Sequence, residues 1–562
     1  MSTMETTLPP TMASSTTNLV LKLRYLAGPP PARSLWPVCA SLDFWPATKC
    51  DYGTCPWANA SALEIDLGDP LLVAAVRALS PLALRVGGSL ADQLVYADVP
   101  RGSRTARAAR RRDCVPLEVD ATRRVGFRGG CLRWARWLEL LRWCSTHGCG
   151  VFFTGNALHG RSRERCPSGR RCRPPLAGGR KPDACCSKWT GNWDGSSLRA
   201  LLQATAAAGE RPAAVAFGNE LIGHHGIAAK LAVGDYVTGL RQLHAMLVDA
   251  WPSQPPLVLA PDSKLDPPWF AEMLDALYND SAAPPLPPRA LMVTHHMYPL
   301  GAAKLDGLQR KALSARLFDR NAGWLRTAAA LVITRSRGAA DVGVSETGGC
   351  YNSGKRGLSD AFGSTFWWSD LLGAAARSMH GLVCRQALVG GHYGLLDLRR
   401  RQPSPDFYVL LLYRRLLARA PLPAPAIDGG GNETRAYAHC GGDEGGLVLM
   451  LINPALAADV NASVRGLRLH GGALSDRRLD YVLTAAPSAN GDRLKSRSVA
   501  LNGVRLVAAP DGALPPLRGA RGRGAVVRQP ALSLGLYWWP AARCGAAGLW
   551  APKGNAASAL EI

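Results

Sequence analysis

Eight short apolar runs alternate with amphipathic helical patterns through the middle of this 562-residue chain, and that alternation limits the fold more than any other feature. The runs are Val38–Asp43, Leu82–Val86, Gly150–Thr154, Ala213–Gly218, Leu257–Ala260, Leu291–His295, Val342–Ser345 and Val383–Leu388. Between them, stretches such as Trp134–Ser145, Asp235–Ala250 and Thr365–Met379 repeat apolar residues at the spacing of a helix with one buried face. Parallel strands need crossovers of helical length, and eight strand–helix units close into a (β/α)8 barrel. The predicted fold class is therefore α/β, with a TIM barrel over residues 38–420 ending on a helix, Phe407–Ala420.

A Pro/Gly-rich linker, Pro421–Gly431, follows, and the pattern changes beyond it. Arg435–Cys440, Gly446–Ile452, Ser463–His470, Asp480–Thr484 and Leu532–Trp538 read as strands divided by turn residues, which predicts a β-sandwich over 421–544. Residues 1–17 are polar and rich in Thr and Ser, and read as a disordered tail. Residues 18–37 are expected to give a strand to the sandwich, and 545–562 to form a second tail.

Two barrel runs end on glutamates. Ala216-Phe217-Gly218-Asn219-Glu220 is one, and Val342-Gly343-Val344-Ser345-Glu346-Thr347-Gly348-Gly349 is the other. The C-terminal strand ends of such a barrel carry its active site. Two carboxylates there are the minimum equipment of a retaining glycosidase, one to protonate the leaving oxygen and one to attack the sugar, set about 5–5.5 Å apart.

Hydrophobic content of 47% and charged content of 19% describe a globular protein, and no apolar run is long enough to predict a transmembrane helix. The formal charge of +24 comes mainly from Arg clusters at 101–112 and 161–180. These suit solvated loops and a peripheral contact with an acidic cell wall or membrane surface. Nucleic acid is not an expected partner, because no basic stripe is interleaved with stacking aromatics. The basic segment 161–187 contains Cys166, Cys172, Cys185 and Cys186, whose spacing matches no common zinc pattern. No metal or cofactor is expected, and the segment reads as a loop insertion in the barrel. Fifteen cysteines, with N-x-S/T sequons at Asn59, Asn279, Asn432 and Asn461, point to an oxidising, glycosylating compartment: the secretory pathway, extracellular space, cell wall or vacuole. Residues 1–17 contain no signal-peptide pattern, so that location predicts a longer native N-terminus. The odd cysteine count predicts at least one free thiol or an intermolecular bridge.

These motifs resemble the heparanase-type endo-β-glucuronidases of glycoside hydrolase family 79, in particular the plant heparanase-like branch. The likeness runs from about Val38 to Cys544. It includes VCASLDFWP at Val38–Pro46 with Cys50-Asp51-Tyr52-Gly53-Thr54-Cys55, LRVGGSLADQLVY at Leu84–Tyr96, and FGNEL at Phe217–Leu221. It continues through Thr294-His295-His296-Met297-Tyr298, Ser345–Gly349 with Cys350-Tyr351-Asn352-Ser353-Gly354, and Gly390–Leu396, to AYAHC at Ala436–Cys440.

The resemblance implies Glu220 as general acid/base and Glu346 as nucleophile. It implies Asn219 on the sugar 2-hydroxyl, Asp43, Ser89 and Asp92 near the sugar, and His296 and Tyr298 beside Glu346. It also implies that backbone N–H groups at Asn352 and Ser353, with Tyr393, read the glucuronate carboxylate, and that Cys440 and Cys544 form a disulfide. The expected substrate is a glycan bearing glucuronic acid, such as arabinogalactan, or a small glucuronide, cleaved by a monomer. A non-catalytic protein that binds acidic wall polysaccharide is the alternative.

Three departures qualify the likeness. The interval from Asp98 to Cys131 is too short for the excised linker of mammalian heparanase, so proteolytic activation is not expected. Asp262-Ser263-Lys264-Leu265-Asp266 stands where a basic pair lines the mammalian heparan cleft. Ser345 precedes the nucleophile where Gly is usual, a change small enough to preserve activity.

Overall fold

The computed structural model describes residues 15–24, 36, 38–100, 114–164, 187–223, 225–417, 426–428, 433–441, 445–467, 476–487 and 491–542. Eight strands form a closed parallel barrel: Val38–Asp43, Leu82–Gly87, Cys149–Gly155, Ala214–Phe217, Leu257–Lys264, Leu291–His296, Asp341–Thr347 and His380–Arg385. Each pairs with the next in sequence, and the eighth returns to the first. The eighth strand starts and ends three residues before the predicted Val383–Leu388. Beyond Arg385, the Leu388 N–H crosses to the Ser41 carbonyl at 2.7 Å and draws the chain over the barrel mouth.

Side chains alternate along each strand, so residues two apart share the barrel interior. Cys39, Ala83, Phe152, Ala214, Ala216, Leu259, Met292, Leu382 and Cys384 pack together there as an apolar cluster. Further toward the C-terminal strand ends, the same faces carry Asp43, Arg85, Thr154, Thr294 and His296, all buried. The interior is thus apolar below and charged above. Outside, helices such as Trp134–His147 and Val233–Ala250 bury Trp137, Leu140, Tyr236 and Leu240 against the strands.

Beyond the barrel, Arg435–Cys440, Leu447–Asn453, Ser533–Trp539 and Arg477–Ala485 build an antiparallel sheet. A second sheet runs Ala426–Asp428, Thr16–Arg24, Asp459–Arg465, Val526–Gln529. Leu19, Leu21, Leu23, Leu447, Leu449, Leu451, Val460, Ala462 and Trp539 pack between the two, giving a sandwich.

Three boundaries differ from the sequence reading. The N-terminal strand begins at Thr16, inside the predicted tail, because Thr16–Lys22 runs parallel to Asp459–Arg465. The predicted strand Ser463–His470 spans Asp459–Arg465, where Val460, Ala462 and Val464 alternate inward. The linker contains a strand, Ala426–Asp428, which pairs with Lys22–Arg24. Most of the 161–187 insertion and the 545–562 tail lie outside the described residues.

Among the described residues, disulfides join Cys39 to Cys384, Cys50 to Cys55, Cys114 to Cys131 and Cys144 to Cys149. Cys440 is disulfide-bonded, while its expected partner Cys544 lies outside the described residues. Among the described cysteines Cys350 is free, and it is buried.

Candidate active site

The C-terminal strand ends surround a cavity of ≈ 1390 Å³. Asp43, Ser89, Glu220, His296, Tyr298, Glu346, Asn352, Ser353 and Tyr393 all line it. Asn219 sits beside them against Arg85, whereas Asp92, also expected near the sugar, does not line the cavity.

Glu346 stands at the end of the seventh strand, where the pairing with the sixth shifts register between His295 and His296. Arg85 Nη1 donates to its Oε2 at 2.9 Å, and the Tyr298 hydroxyl donates to its Oε1 at 2.6 Å. Both carboxylate oxygens are therefore fixed. Arg85 is buried and also holds Asp262 at 2.7 Å and the Asn219 Oδ1 at 2.6 Å. Burial works against its charge, but Asp262 and Glu346 more than compensate and keep the guanidinium protonated. Asp262 is likewise held well below the usual carboxylate range, as Arg85 and His296 overcome its burial.

Glu220 follows the fourth strand with φ of +56°, and its N–H donates to the Asp262 carbonyl at 3.0 Å. A non-glycine residue rarely takes this left-handed conformation, and such outliers concentrate at functional sites. Its Oε1 lies 3.0 Å from His296 Nδ1. Burial raises the Glu220 carboxyl, yet the hydrogen bond and charge of His296 leave it below its ordinary pKa. His296 is pushed up to about 10: burial opposes its charge, but Glu346, Asp262 and Glu220 surround it.

The resemblance places His296 beside Glu346. The geometry gives the direct contact with Glu346 to Tyr298, and His296 Nδ1 stands 3.9 Å from Glu346 Oε2. Glu220 Oε1 and Glu346 Oε2 are consequently no farther apart than the sum of their distances to His296 Nδ1, a bound that excludes all but the shortest separations of inverting sites.

Asn219 is supported from behind. Its N–H donates to Asp92 Oδ2 at 2.7 Å, and Asp92 Oδ1 accepts from Ala157 N at 2.9 Å. Asp92 thus props the backbone of Asn219. With Oδ1 turned to Arg85, the buried Asn219 Nδ2 has no partner among the described residues. Across the mouth, Gln386 Nε2 donates to Asp43 Oδ2 at 2.6 Å, while no hydrogen bond among the described residues reaches the buried Asp43 Oδ1. Burial and the nearby Glu346 push Asp43 up to about 7.

Next to Tyr351, whose ring packs edge-on to Tyr298, Asn352, Ser353 and Gly354 take three successive left-handed conformations, with φ of +59°, +62° and +74°. Among the described residues, no acceptor meets the backbone N–H of any of the three. Tyr393 is buried against this turn and packs edge-on to Trp57. A side chain at Gly354 or Gly391 would bring a Cβ within 2.9 or 2.5 Å of the Tyr393 ring, so glycine there lets the tyrosine into the pocket.

Arg85, Asp262 and Gln386 are site residues that the sequence reading does not assign. A signal existed for the first two: a full charge inside an otherwise apolar barrel strand, in LALRVG and LVLAPDSK, requires a buried partner.

The comparisons agree with this geometry. The N-terminal domain of glycosyl hydrolase family 79 matches residues 36–373. Baicalin-beta-D-glucuronidase of Scutellaria baicalensis is 31% identical over 487 residues, covering 85% of this chain and 84% of that protein. Heparanase-like protein 1 of Arabidopsis thaliana is 33% identical over 430 residues, covering 76% and 72%. Among solved structures, a 4-O-alpha-L-rhamnosyl-beta-D-glucuronidase from Fusarium oxysporum 12S superposes with a TM-score of 0.55 over 92% of this chain and 100% of its own. At 14% identity, that likeness concerns the fold alone. Barrel, paired glutamates and sequence relatives lead to one conclusion: the chain belongs to glycosyl hydrolase family 79.

Proposed function

We propose that the protein is a retaining β-glucuronidase in which Glu346 is the nucleophile and Glu220 the acid/base. Arg85 and Tyr298 aim the Glu346 carboxylate for attack on the anomeric carbon. Glu220 and His296 share one proton across their 3.0 Å contact, and the pair delivers it to the departing oxygen. The bond from the anomeric carbon to the leaving oxygen breaks as the ester to Glu346 forms. Glu220, now a carboxylate, then takes a proton from water, and hydroxide character at that water releases the sugar from Glu346. Asn219 Nδ2 is free to donate to the 2-hydroxyl, and Asp43 to hold a second sugar hydroxyl.

The observation that carries the glucuronide reading is the row of three N–H groups without acceptors in the turn Asn352–Gly354. Successive backbone donors in such a turn form a concavity for an anion. A glucuronate carboxylate suits it, with Tyr393 alongside. The names of the relatives support the same substrate class, small glucuronide or acidic glycan. The test compares kcat/KM for 4-nitrophenyl β-D-glucuronide and the matching glucoside. A preference of at least about hundredfold for the glucuronide is expected, the worth of two charge-assisted hydrogen bonds. Equal turnover of both sugars overturns the carboxylate reading.

Disulfides suit an oxidising compartment. In that setting Asn59 and Asn279, both exposed, are the best placed of the four sequons to carry glycans. Asn461 is half-buried in a strand, and Asn432 lies outside the described residues.

A further inference from the structure

The turn that presents those N–H groups is unusual in its composition. Asn352 and Ser353 both hold positive φ, a conformation that disfavours residues with a Cβ. Such backbone persists only where its surroundings over-determine it. Here much of the surroundings comes from one small loop, Cys50 to Cys55, closed on itself by a disulfide.

Tyr52 and Asp51 of that loop reach the two residues separately. The Asn352 Nδ2 donates to the Tyr52 hydroxyl at 2.9 Å, and the Ser353 hydroxyl donates to Asp51 Oδ2 at 2.5 Å. The indole of Trp57 donates back to the same Ser353 oxygen at 2.8 Å. From the other side, the His392 N–H donates to the Ser353 carbonyl at 2.6 Å, and the His392 ring meets the Thr54 hydroxyl at 3.0 Å. The loop after the first barrel strand thus ties the loops after the seventh and eighth. A bare Asp51 would repel a substrate carboxylate, but Lys49 Nζ lies 2.9 Å from its Oδ1. The clamp therefore presents little net charge to the turn it holds.

We propose that the Cys50–Cys55 loop positions the carboxylate-reading turn, with Asp51 and Tyr52 as positioning residues. They act through the backbone of Ser353 and Asn352 and so set the preference for a carboxylated sugar. The side-chain hydrogen bonds hold Asn352 and Ser353 in the left-handed conformation that glycine would take unaided. This rests on the carboxylate reading above.

The test is a double-mutant cycle read as the ratio of glucuronide to glucoside kcat/KM. Asp51→Asn and Tyr52→Phe, made separately, are each expected to lower that ratio about tenfold, mainly by raising KM for the glucuronide. In an Asn352→Gly/Ser353→Gly background, where no side chain is left to clamp, Asp51→Asn is expected to change the ratio less than about twofold. A wild-type enzyme that prefers the glucuronide, with variants that slow both substrates equally, overturns the clamp and leaves the carboxylate reading standing. An undiminished Asp51→Asn effect in the diglycine background also overturns it, since Asp51 would then act on the sugar directly. A wild type without the preference overturns both.

Discussion

The two ends of the cavity hold their side chains in opposite ways. At the catalytic end, buried Arg85 pairs with Asp262 and Glu346 and buried His296 with Glu220, so charge fixes most positions. At the end formed by Asn352, Ser353, Asp51 and Tyr52, hydrogen bonds between surface loops hold a strained turn, with one ion pair to balance Asp51. A buried charge network fails abruptly when one member is removed, because the others lose their compensation. A set of hydrogen bonds, only one of them to a charged group, loosens by degrees. The catalytic end should therefore behave as a unit, and the opposite end as a tunable part.

The sharpest way to break this comparison is Glu346→Gln. Loss of the proposed nucleophile is expected to lower kcat roughly 10⁴-fold with little change in substrate binding. A variant within tenfold of wild type on an alkyl glucuronide, measured at saturation, removes Glu346 from the mechanism.

Arg85→Met comes next. It leaves Asp262 and Glu346 buried without their cation, and a cost of about 3–5 kcal/mol is expected in denaturant unfolding. A loss under about 1 kcal/mol shows that the charges are not what organises this end.

Glu220→Gln separates the two halves of catalysis. Turnover of an alkyl glucuronide is expected to fall about 10²–10³-fold, and that of 4-nitrophenyl glucuronide far less at the bond-breaking step, since nitrophenolate needs little protonation. Equal losses in pre-steady-state bursts contradict the acid role.

The smallest effect is in pH dependence. Asp43 is pushed up to about 7 in the folded protein, whereas an unfolded aspartate ionises near pH 4. Between those values the folded chain holds the extra proton, so the contribution of Asp43 to stability falls as pH rises from about 4 to about 7. His296, at about 10 against an ordinary value near 6.5, adds a second fall over the alkaline range. Asp43→Asn is expected to flatten the Tm profile in the first window and leave the second. An unchanged slope between pH 4 and 7 contradicts the raised Asp43 pKa.

The barrel strands were legible because their apolar runs are short and bounded by turn residues: four of the eight start where predicted, three differ by one residue and the eighth by three. The glutamates were legible because each closes such a run. Arg85 and Asp262 were hidden because one charged residue in a strand does not name its partner, which comes from a strand 177 positions away. Asn352 and Ser353 were located through the family likeness, but nothing in their residue types announces left-handed backbone. That depends on Tyr52 and Asp51, about 300 residues earlier. The strand Ala426–Asp428 was masked by the Pro and Gly around it, and only the N-terminal strand it pairs with reveals it.

The Cys39–Cys384 disulfide lies at the seam where the barrel closes, between its first and last strands. Only two residue pairs, Cys384 with Cys39 and Arg385 with Ala40, are in register there, against six between the first and second strands. A short pairing between segments 345 residues apart is where a cylinder of strands would breathe first. Directly above it, the Asp43–Gln386 hydrogen bond spans the same seam at the floor of the sugar pocket. The covalent rivet therefore sets more than stability. With it intact, the two sides of the pocket keep a fixed gauge, and without it each opening of the seam would change the width of the space that receives the sugar.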